Sequence, residues 1–131
     1  AAPVAASGGI SCEAHDSAIR LDVLADVARA IGARVISPQG ELKIKDRAAN
    51  WQTIALNDGL VQSWIEGRDA KLQFYIEKTA LNGGDSVELV IRTARQRDSG
   101  GVKGRYVLRV YEQGADAKVL TQHGQAACSL D

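Results

Sequence analysis

Apolar and polar residues alternate with a period of two through most of the chain, which predicts β-strands with one buried and one solvated face. The pattern is clearest in four segments, GELKIKD, KLQFYIEK, SVELVIRTAR and GRYVLRVYEQ. Turn-forming residues separate the segments, at SPQG 37–40, NDG 57–59, NGGD 82–85, DSGG 98–101 and QGAD 113–116. This rhythm predicts antiparallel hairpins that follow one another along the chain.

The segment 19–33 fits two secondary structures. As a helix, its apolar residues collect on one face. As a strand over 19–27, every odd position is apolar and every even position is charged except Leu24. The hairpin rhythm downstream favours the strand. We therefore predict an all-β fold, a single antiparallel barrel or sandwich of about eight strands, with an α+β fold carrying one N-terminal helix as the alternative.

The two cysteines predict a disulfide that closes the sheet. Cys12 and Cys128 are the only cysteines and stand near opposite ends of the chain. A final strand within 118–131 would bring Cys128 beside the first strand and hide the sheet edges. The alternative is a pair of buried thiols in a cytosolic protein. A disulfide persists only in an oxidising compartment, so we expect a periplasmic or extracellular protein.

The start of the chain also indicates export. AAPVAASGG is a run of small residues of the kind that surrounds or follows a signal-peptidase site, and a lipid anchor ahead of Ala1 fits the same location. The length of 131 residues suits one domain, which we place at 10–131 behind a flexible N-terminus at 1–9.

Charge and hydropathy narrow the choice of partner. Sixteen basic residues balance sixteen acidic ones, so no net field draws the chain to nucleic acid or to an anionic membrane. No apolar run approaches the roughly 18 residues of a membrane-spanning helix. The expected partner is another protein, without nucleic acid and without a membrane span.

The chemically reactive residues do not form a recognisable active site. His15, Asp16 and Ser17 are chain neighbours and cannot assemble a triad, because adjacent side chains of a strand point to opposite faces. A zinc site of His15, His123 and the two cysteines would need those cysteines reduced, so the disulfide is preferred. We predict no enzyme activity, no cofactor and no metal.

Two further features are candidates for binding. Trp51 and Trp64 flank TIALNDGLVQ, which we interpret as a hairpin. Such rings either anchor a core or mark a recognition face, and the core is the favoured interpretation here. The loop DSGGVKGRY at 98–106 carries Lys103 and Arg105 but lacks a phosphate-binding glycine pattern, so we interpret it as a solvated hairpin tip.

The cysteine framework and the segment SGGVKGRY together resemble the periplasmic and membrane-anchored inhibitors of c-type lysozyme. The resemblance implies an eight-stranded barrel that inserts an SG-rich loop, ending in Lys and Tyr, into the lysozyme cleft. Ser99, Gly100, Lys103 and Tyr106 would take the corresponding roles. The family's second motif, a Tyr followed by TKG, is kept in TQHG at 121–124 only at its Thr and its Gly.

We therefore expect an exported, non-enzymatic binding protein, with an inhibitor of a hydrolase such as lysozyme as the concrete version. The candidate binding residues are those four loop residues together with Trp51 and Trp64. Two alternatives remain open. One is a carrier of a small apolar ligand, held in the interior or mouth of the β-structure near a tryptophan. The other is an accessory or structural module of a cell-envelope complex.

Overall fold

The prediction of an all-β fold is confirmed by the structure, a computed structural model that describes residues 8–28, 34–45, 53–78, 85–96, 102–112 and 118–130. Within these ranges there are nine antiparallel strands and no helix. The strands are β1 Gly8–His15, β2 Ile19–Ala28, β3 Arg34–Ile44, β4 Ile54–Ala55, β5 Leu60–Glu66, β6 Asp69–Lys78, β7 Asp85–Arg95, β8 Val102–Glu112 and β9 Lys118–Leu130. In the described part of the chain, no helix therefore has the length and apolar character needed to cross a membrane.

The ambiguous opening segment is a strand. Along β2, every odd residue from Ile19 to Val27 is buried and every even residue from Arg20 to Asp26 is exposed. Leu24, the one apolar residue at an even position, is 57% exposed. The period of two thus decides the secondary structure here, and β1 begins at Gly8, two residues before the predicted domain start.

All nine strands belong to one sheet, in the order β4-β3-β2-β1-β9-β8-β7-β6-β5. Neighbouring strands are chain neighbours everywhere except where β1 pairs with β9. This β1–β9 seam joins the first and last strands, and with them the two halves of the chain. Four residue pairs form the seam within the described residues, from Ile10 with Leu130 to Glu13 with Ala127, whereas eight pairs join β1 to β2.

The predicted disulfide is confirmed at the seam. Cys12 and Cys128 are register partners on β1 and β9, with 4.1 Å between their Cα atoms, and their sulfur atoms are bonded. Cys12 is 3% exposed and belongs to the core. The bond therefore fixes the shortest ladder between long strands, and it links residues that are 116 positions apart in the chain.

The sheet curls until its two ends are linked by the chain itself. β3 and β5 contact each other, and the segment after β4 crosses from one end of the sheet to the other. The Leu56 N–H donates to the Gly40 carbonyl of β3, and the Tyr75 N–H of β6 donates to the Gly59 carbonyl. The interpretation of TIALNDGLVQ as a hairpin was wrong, because β4 pairs with β3 and β5 pairs with β6.

The turn predicted at SPQG is instead a β-bulge inside β3. Two residues, Ser37 and Pro38, lie opposite Ala25 alone, and Ser37 has a φ of 51°. Proline fits at a bulge because its position there does not need a ladder N–H. The bulge brings Gly40 so close to β2 that a Cβ atom would lie 2.2 Å from the Asp22 carbonyl oxygen. Glycine is therefore needed at this position.

The interior of the curled sheet is filled by side chains from its strands. The largest that are fully buried include Tyr106 and Phe74, together with isoleucine and leucine residues of β1, β2, β3, β6, β7 and β8. Polar residues occupy the alternating outward positions. Most of the charged groups therefore lie on the outer surface, and residues that could bind a partner are expected there.

We expect loss of the disulfide to destabilise the fold strongly. The double substitution Cys12→Ala/Cys128→Ala removes a cross-link that, on the chain-entropy model, is worth about 4 to 5 kcal/mol for a loop of this size. Urea unfolding of wild type and variant, each followed by near-ultraviolet circular dichroism, measures the loss. Reduction of the wild type gives an independent check. Equal unfolding midpoints in all three samples would contradict the role given to this bond.

Candidate functional site

The residues implied by the lysozyme-inhibitor resemblance do not share one surface. Ser99, Gly100 and also Trp51 lie outside the described residues. Lys103 is exposed on β8, whereas Tyr106 points inward and is 0% exposed. A side chain in that position cannot reach a partner, so the contact role implied for Tyr106 does not fit its place in the fold.

Tyr106 instead links β8 to the turn between β1 and β2. Its hydroxyl donates to Oδ2 of Asp16, whose Oδ1 accepts the backbone N–H groups of Ala18 and Ile19, each at 2.8 Å. The ring crosses β9 at Gly124, its register partner, where a Cβ atom would lie 2.7 Å from the ring. The Tyr106–Asp16 hydrogen bond thus connects the β1–β2 turn to the opposite side of the β1–β9 seam.

The pKa values of this pair follow from its surroundings. Burial, the hydrogen bond to Asp16 and the Asp16 charge raise the pKa of Tyr106 to about 12. Burial also raises the pKa of the Asp16 carboxyl, but the hydrogen bonds from Tyr106, Ile19 and Ala18 and the charge of Lys45 outweigh it. The pKa of Asp16 is lowered as a result. Both shifts stabilise the arrangement of a neutral phenol donating to a carboxylate.

Trp64 is a surface residue. The interpretation of this ring as a core residue was wrong, because its side chain lies on the outer face of β5 and is 49% exposed. Its register partner on β6 is Lys71. An exposed indole beside a cation is a common element of binding surfaces, since the ring contributes a large apolar area at a small entropic cost.

Trp64 on β5 lies at the end of a row of basic side chains that crosses three strands, β6 to β8. Lys71 on β6 pairs with Arg92 on β7, which pairs with Arg105 on β8. We call Lys71, Arg92 and Arg105 the basic row. Adjacent strands lie about 4.8 Å apart, so the row spans about 10 Å. Like charges directly opposite each other destabilise a sheet, and among the described residues none of the three makes an ion pair.

A second charged row lies on the outer face of the other half of the sheet. Glu13 on β1 pairs with Asp22 on β2, which pairs with Glu41 on β3. We call these three residues the acidic row. His15 Nε2 lies 3.5 Å from Asp22 Oδ1, and Arg20 Nε lies 3.8 Å from Asp22 Oδ2. Glu13 and Glu41 make no ion pair within the described ranges.

The acidic row is also the place where a cation would find ligands. Ligand atoms of Glu13, His15 and Asp22 lie within 4.8 Å of one another, and all three side chains are exposed. The zinc site of two histidines and two cysteines, which the sequence analysis set aside in favour of a disulfide, is excluded because Cys12 and Cys128 are bonded to each other.

Two concave regions accompany these groups. A groove of about 840 Å³ follows the acidic row and is lined in addition by Ser11, Leu24, Gln39, Asn57 and Ser129. A cavity of about 550 Å³ opens at the Asp16 end of the curled sheet, where apolar side chains meet a polar rim. Its walls include Ile19, Ile44, Leu108, Val110 and Leu120, and its rim includes Lys45 and Gln122.

Sequence reasoning missed both charged rows. Each basic residue stands at an outward position of its strand, which the alternation showed, but the register that aligns Lys71 with Arg92 and Arg105 is a tertiary property. The observed row runs across strands and not along any one of them. The same applies to Glu13, Asp22 and Glu41.

Comparison with known proteins adds no functional information. The chain matches no family model, and no curated protein or solved structure is significantly similar to it. Function is therefore argued from the residues alone.

We expect Tyr106→Phe to destabilise the protein by about 1 to 3 kcal/mol at neutral pH, because it removes a hydrogen bond to a charged group. A raised pKa in the folded state gives stability that is fully present below about pH 10, the unfolded value, and is lost as the pH rises through about 12. The difference between wild type and variant should therefore shrink over that range. Urea unfolding at each pH measures it.

The matched control is Tyr75→Phe. Tyr75 is exposed, and its hydroxyl donates to Oε1 of Glu77 at 2.9 Å on the protein surface. This variant should stay within about 0.5 kcal/mol of the wild type. Equal losses in the two variants, or a Tyr106→Phe difference that does not change with pH, would remove the structural role given to the pair.

Proposed function

We propose that this protein is an exported, non-enzymatic binding domain that attaches to an acidic partner protein through the outer face of β5–β8. The observation that carries the proposal is the basic row with Trp64 at its end. Three cations held opposite one another are unfavourable within the chain. A partner that supplies carboxylates removes this repulsion, so the arrangement favours binding.

The surroundings of the basic row support a protein surface as its target. Lys103 is exposed on the same strand as Arg105, two residues away and on the same face. The next outward row, with Val90 and Val107, is uncharged. A patch that combines a few cations with an indole and apolar neighbours resembles the centre of protein interfaces, where aromatic residues and arginine are enriched.

The absence of enzymatic activity is part of the proposal. The described titratable groups with shifted pKa values, Asp16 and Tyr106, are bonded to each other in a structural role. The Cys12–Cys128 bond is compatible with an oxidising compartment, which supports export. An accessory role in a cell-envelope complex would use the same surface.

An inhibitor of a hydrolase is the concrete version of this function. Glycosidases carry two catalytic carboxyl groups roughly 5 to 10 Å apart, and cations on neighbouring strands of the basic row lie about 5 Å apart, or about 10 Å across two strands. Arg105 and Lys103 stand closest to the β7–β8 hairpin, so they would enter such a cleft first.

The proposal is tested in two arms. Poly-L-glutamate serves as a probe for an acidic protein surface, and c-type lysozyme serves as a candidate partner. Isothermal calorimetry should detect binding of poly-L-glutamate at low ionic strength and a loss of affinity of about tenfold in Arg92→Gln/Arg105→Gln. Arg34→Gln/Lys43→Gln, which removes the same charge from β3, should bind like the wild type.

A negative result with poly-L-glutamate and a negative result with lysozyme contradict different parts of the proposal. Equal binding of poly-L-glutamate by the basic-row variant and its control would overturn the proposed surface. With lysozyme, inhibition that depends on Lys103 and Arg105 supports the inhibitor version. If lysozyme is neither bound nor inhibited, the lysozyme version is wrong and the acidic-partner proposal stands on the first arm.

A specific observation also favours the carrier as a second candidate. The cavity at the Asp16 end has a volume of about 550 Å³, within the usual range for small-ligand sites, and a lining that combines apolar side chains such as Leu108 with polar ones such as Lys45. A medium-chain fatty acid would place its tail against Leu108 and Leu120 and its carboxylate near Lys45. We expect, if this candidate is right, that Leu120→Glu abolishes binding measured by calorimetry, while Val61→Glu on the outer surface does not. Binding that is equal in both variants would exclude this cavity.

A further inference from the structure

The groove along the acidic row carries negative charges, whereas the basic row carries positive ones. It is about 840 Å³ in volume and combines Glu13, Asp22 and Glu41 with hydroxyl and amide groups and with Leu24, which is 57% exposed. A ligand for this groove needs cations, hydrogen-bond donors and an apolar contact. The outer face of β5–β8 offers these groups in Lys71, Arg92 and Arg105, with Trp64 beside them.

The two rows also match in geometry. Each row contributes one charged side chain from each of three neighbouring strands. Both therefore have the same spacing, about 4.8 Å between charges and about 10 Å from end to end. The chain as a whole has zero net charge, so no general repulsion opposes contact between two copies.

We propose that the acidic groove of one copy receives the basic row of a second copy of this chain. Charge complementarity decides this occupant over a small cation or an unrelated basic protein, because the matching row is carried by the same chain at the same spacing. The contact uses two different surfaces of each copy, so it is heterologous. It shares the basic row with the proposed function, and it would compete there with any acidic partner.

The position of the rows determines the form of assembly. The sheet curls so that β3 and β5 contact each other without pairing, and β2 and β7 lie four positions apart in the strand order. The acidic and basic rows therefore face in roughly opposite directions. One neighbour cannot occupy both surfaces, so association continues into open chains or a ring and does not stop at a twofold dimer.

The test uses the purified, oxidised protein alone, so it can fail without affecting the proposed function. Sedimentation equilibrium at concentrations up to about 1 mM should give an average mass above that of the monomer at about 10 mM ionic strength. At about 1 M salt, where charges are screened within about 3 Å, the mass should return to that of the monomer. A monomer at both ionic strengths overturns the inference.

Two variants locate the contact. Arg92→Gln/Arg105→Gln removes most of the basic row, and Glu13→Gln/Glu41→Gln removes most of the acidic row while leaving the ion pairs of Asp22 intact. Each variant alone should associate about tenfold more weakly than the wild type. Mixed in equal amounts, they should form a 1:1 complex and stop there, because each supplies one intact surface.

The mixture also shows that both variants are folded, and a control measures the effect of charge alone. Arg34→Gln/Lys43→Gln changes the net charge as the basic-row variant does but should still self-associate. Association of the wild type without a 1:1 complex in the mixture would overturn the pairing of these two rows. A control that dissociates as fully as the basic-row variant would overturn it as well.

Discussion

The pairing of the first strand with the last is the constraint on which the rest of this structure depends. Every other strand pairs with a chain neighbour, so local hairpins can form each half of the sheet independently. Only the β1–β9 seam makes them one sheet, and it does so with four residue pairs in the described part of the chain. Because closing so long a loop costs entropy, the Cys12–Cys128 bond across the seam stabilises the closed sheet.

Closure at the seam explains why the charged residues of the candidate binding surfaces lie on the outer face of the sheet. Once the two halves meet, side chains such as Phe74 and Tyr106 fill the interior, and Tyr106 reaches across β9 to Asp16 on the far side of the seam. The outward positions then form rows whose charge depends on the register of neighbouring strands. A chain with zero net charge thereby acquires an acidic row across β1–β3 and a basic row across β6–β8.

The sequence predicted those features that depend on local alternation. The strand predicted at 19–27, the all-β fold and the pairing of Cys12 with Cys128 all followed from periodicity and chain position. Features that depend on register or on distant packing were missed. The bulge at Ser37 and Pro38 consists of residues that are typical of turns. Trp64 is of a residue type that is typical of cores, although its side chain lies on the outer face of β5. Tyr106 seemed to belong to a loop motif, and only the packed structure shows its contact with Asp16, 90 residues away in the chain.

The same limit applies to the candidate site. Lys71, Arg92 and Arg105 are each unremarkable in the sequence, because a single cation on a solvated strand face is ordinary. Their alignment is a property of three strand pairings, each with its own register. The site could therefore be found only after the sheet was known. The segment SGGVKGRY contributes Lys103 and Arg105 to it from strand β8.

Amide hydrogen exchange of the oxidised and reduced protein measures whether the disulfide-fixed seam holds the two halves of the sheet together. If the seam has this role, the ladder amides of β1 and β9 exchange as slowly as those of β7 and β8 in the oxidised protein. After reduction, protection should be lost first at the seam, while the hairpin of β7 and β8 keeps more of its own. Equal loss of protection across all strands, or no change at β1 and β9, would contradict it.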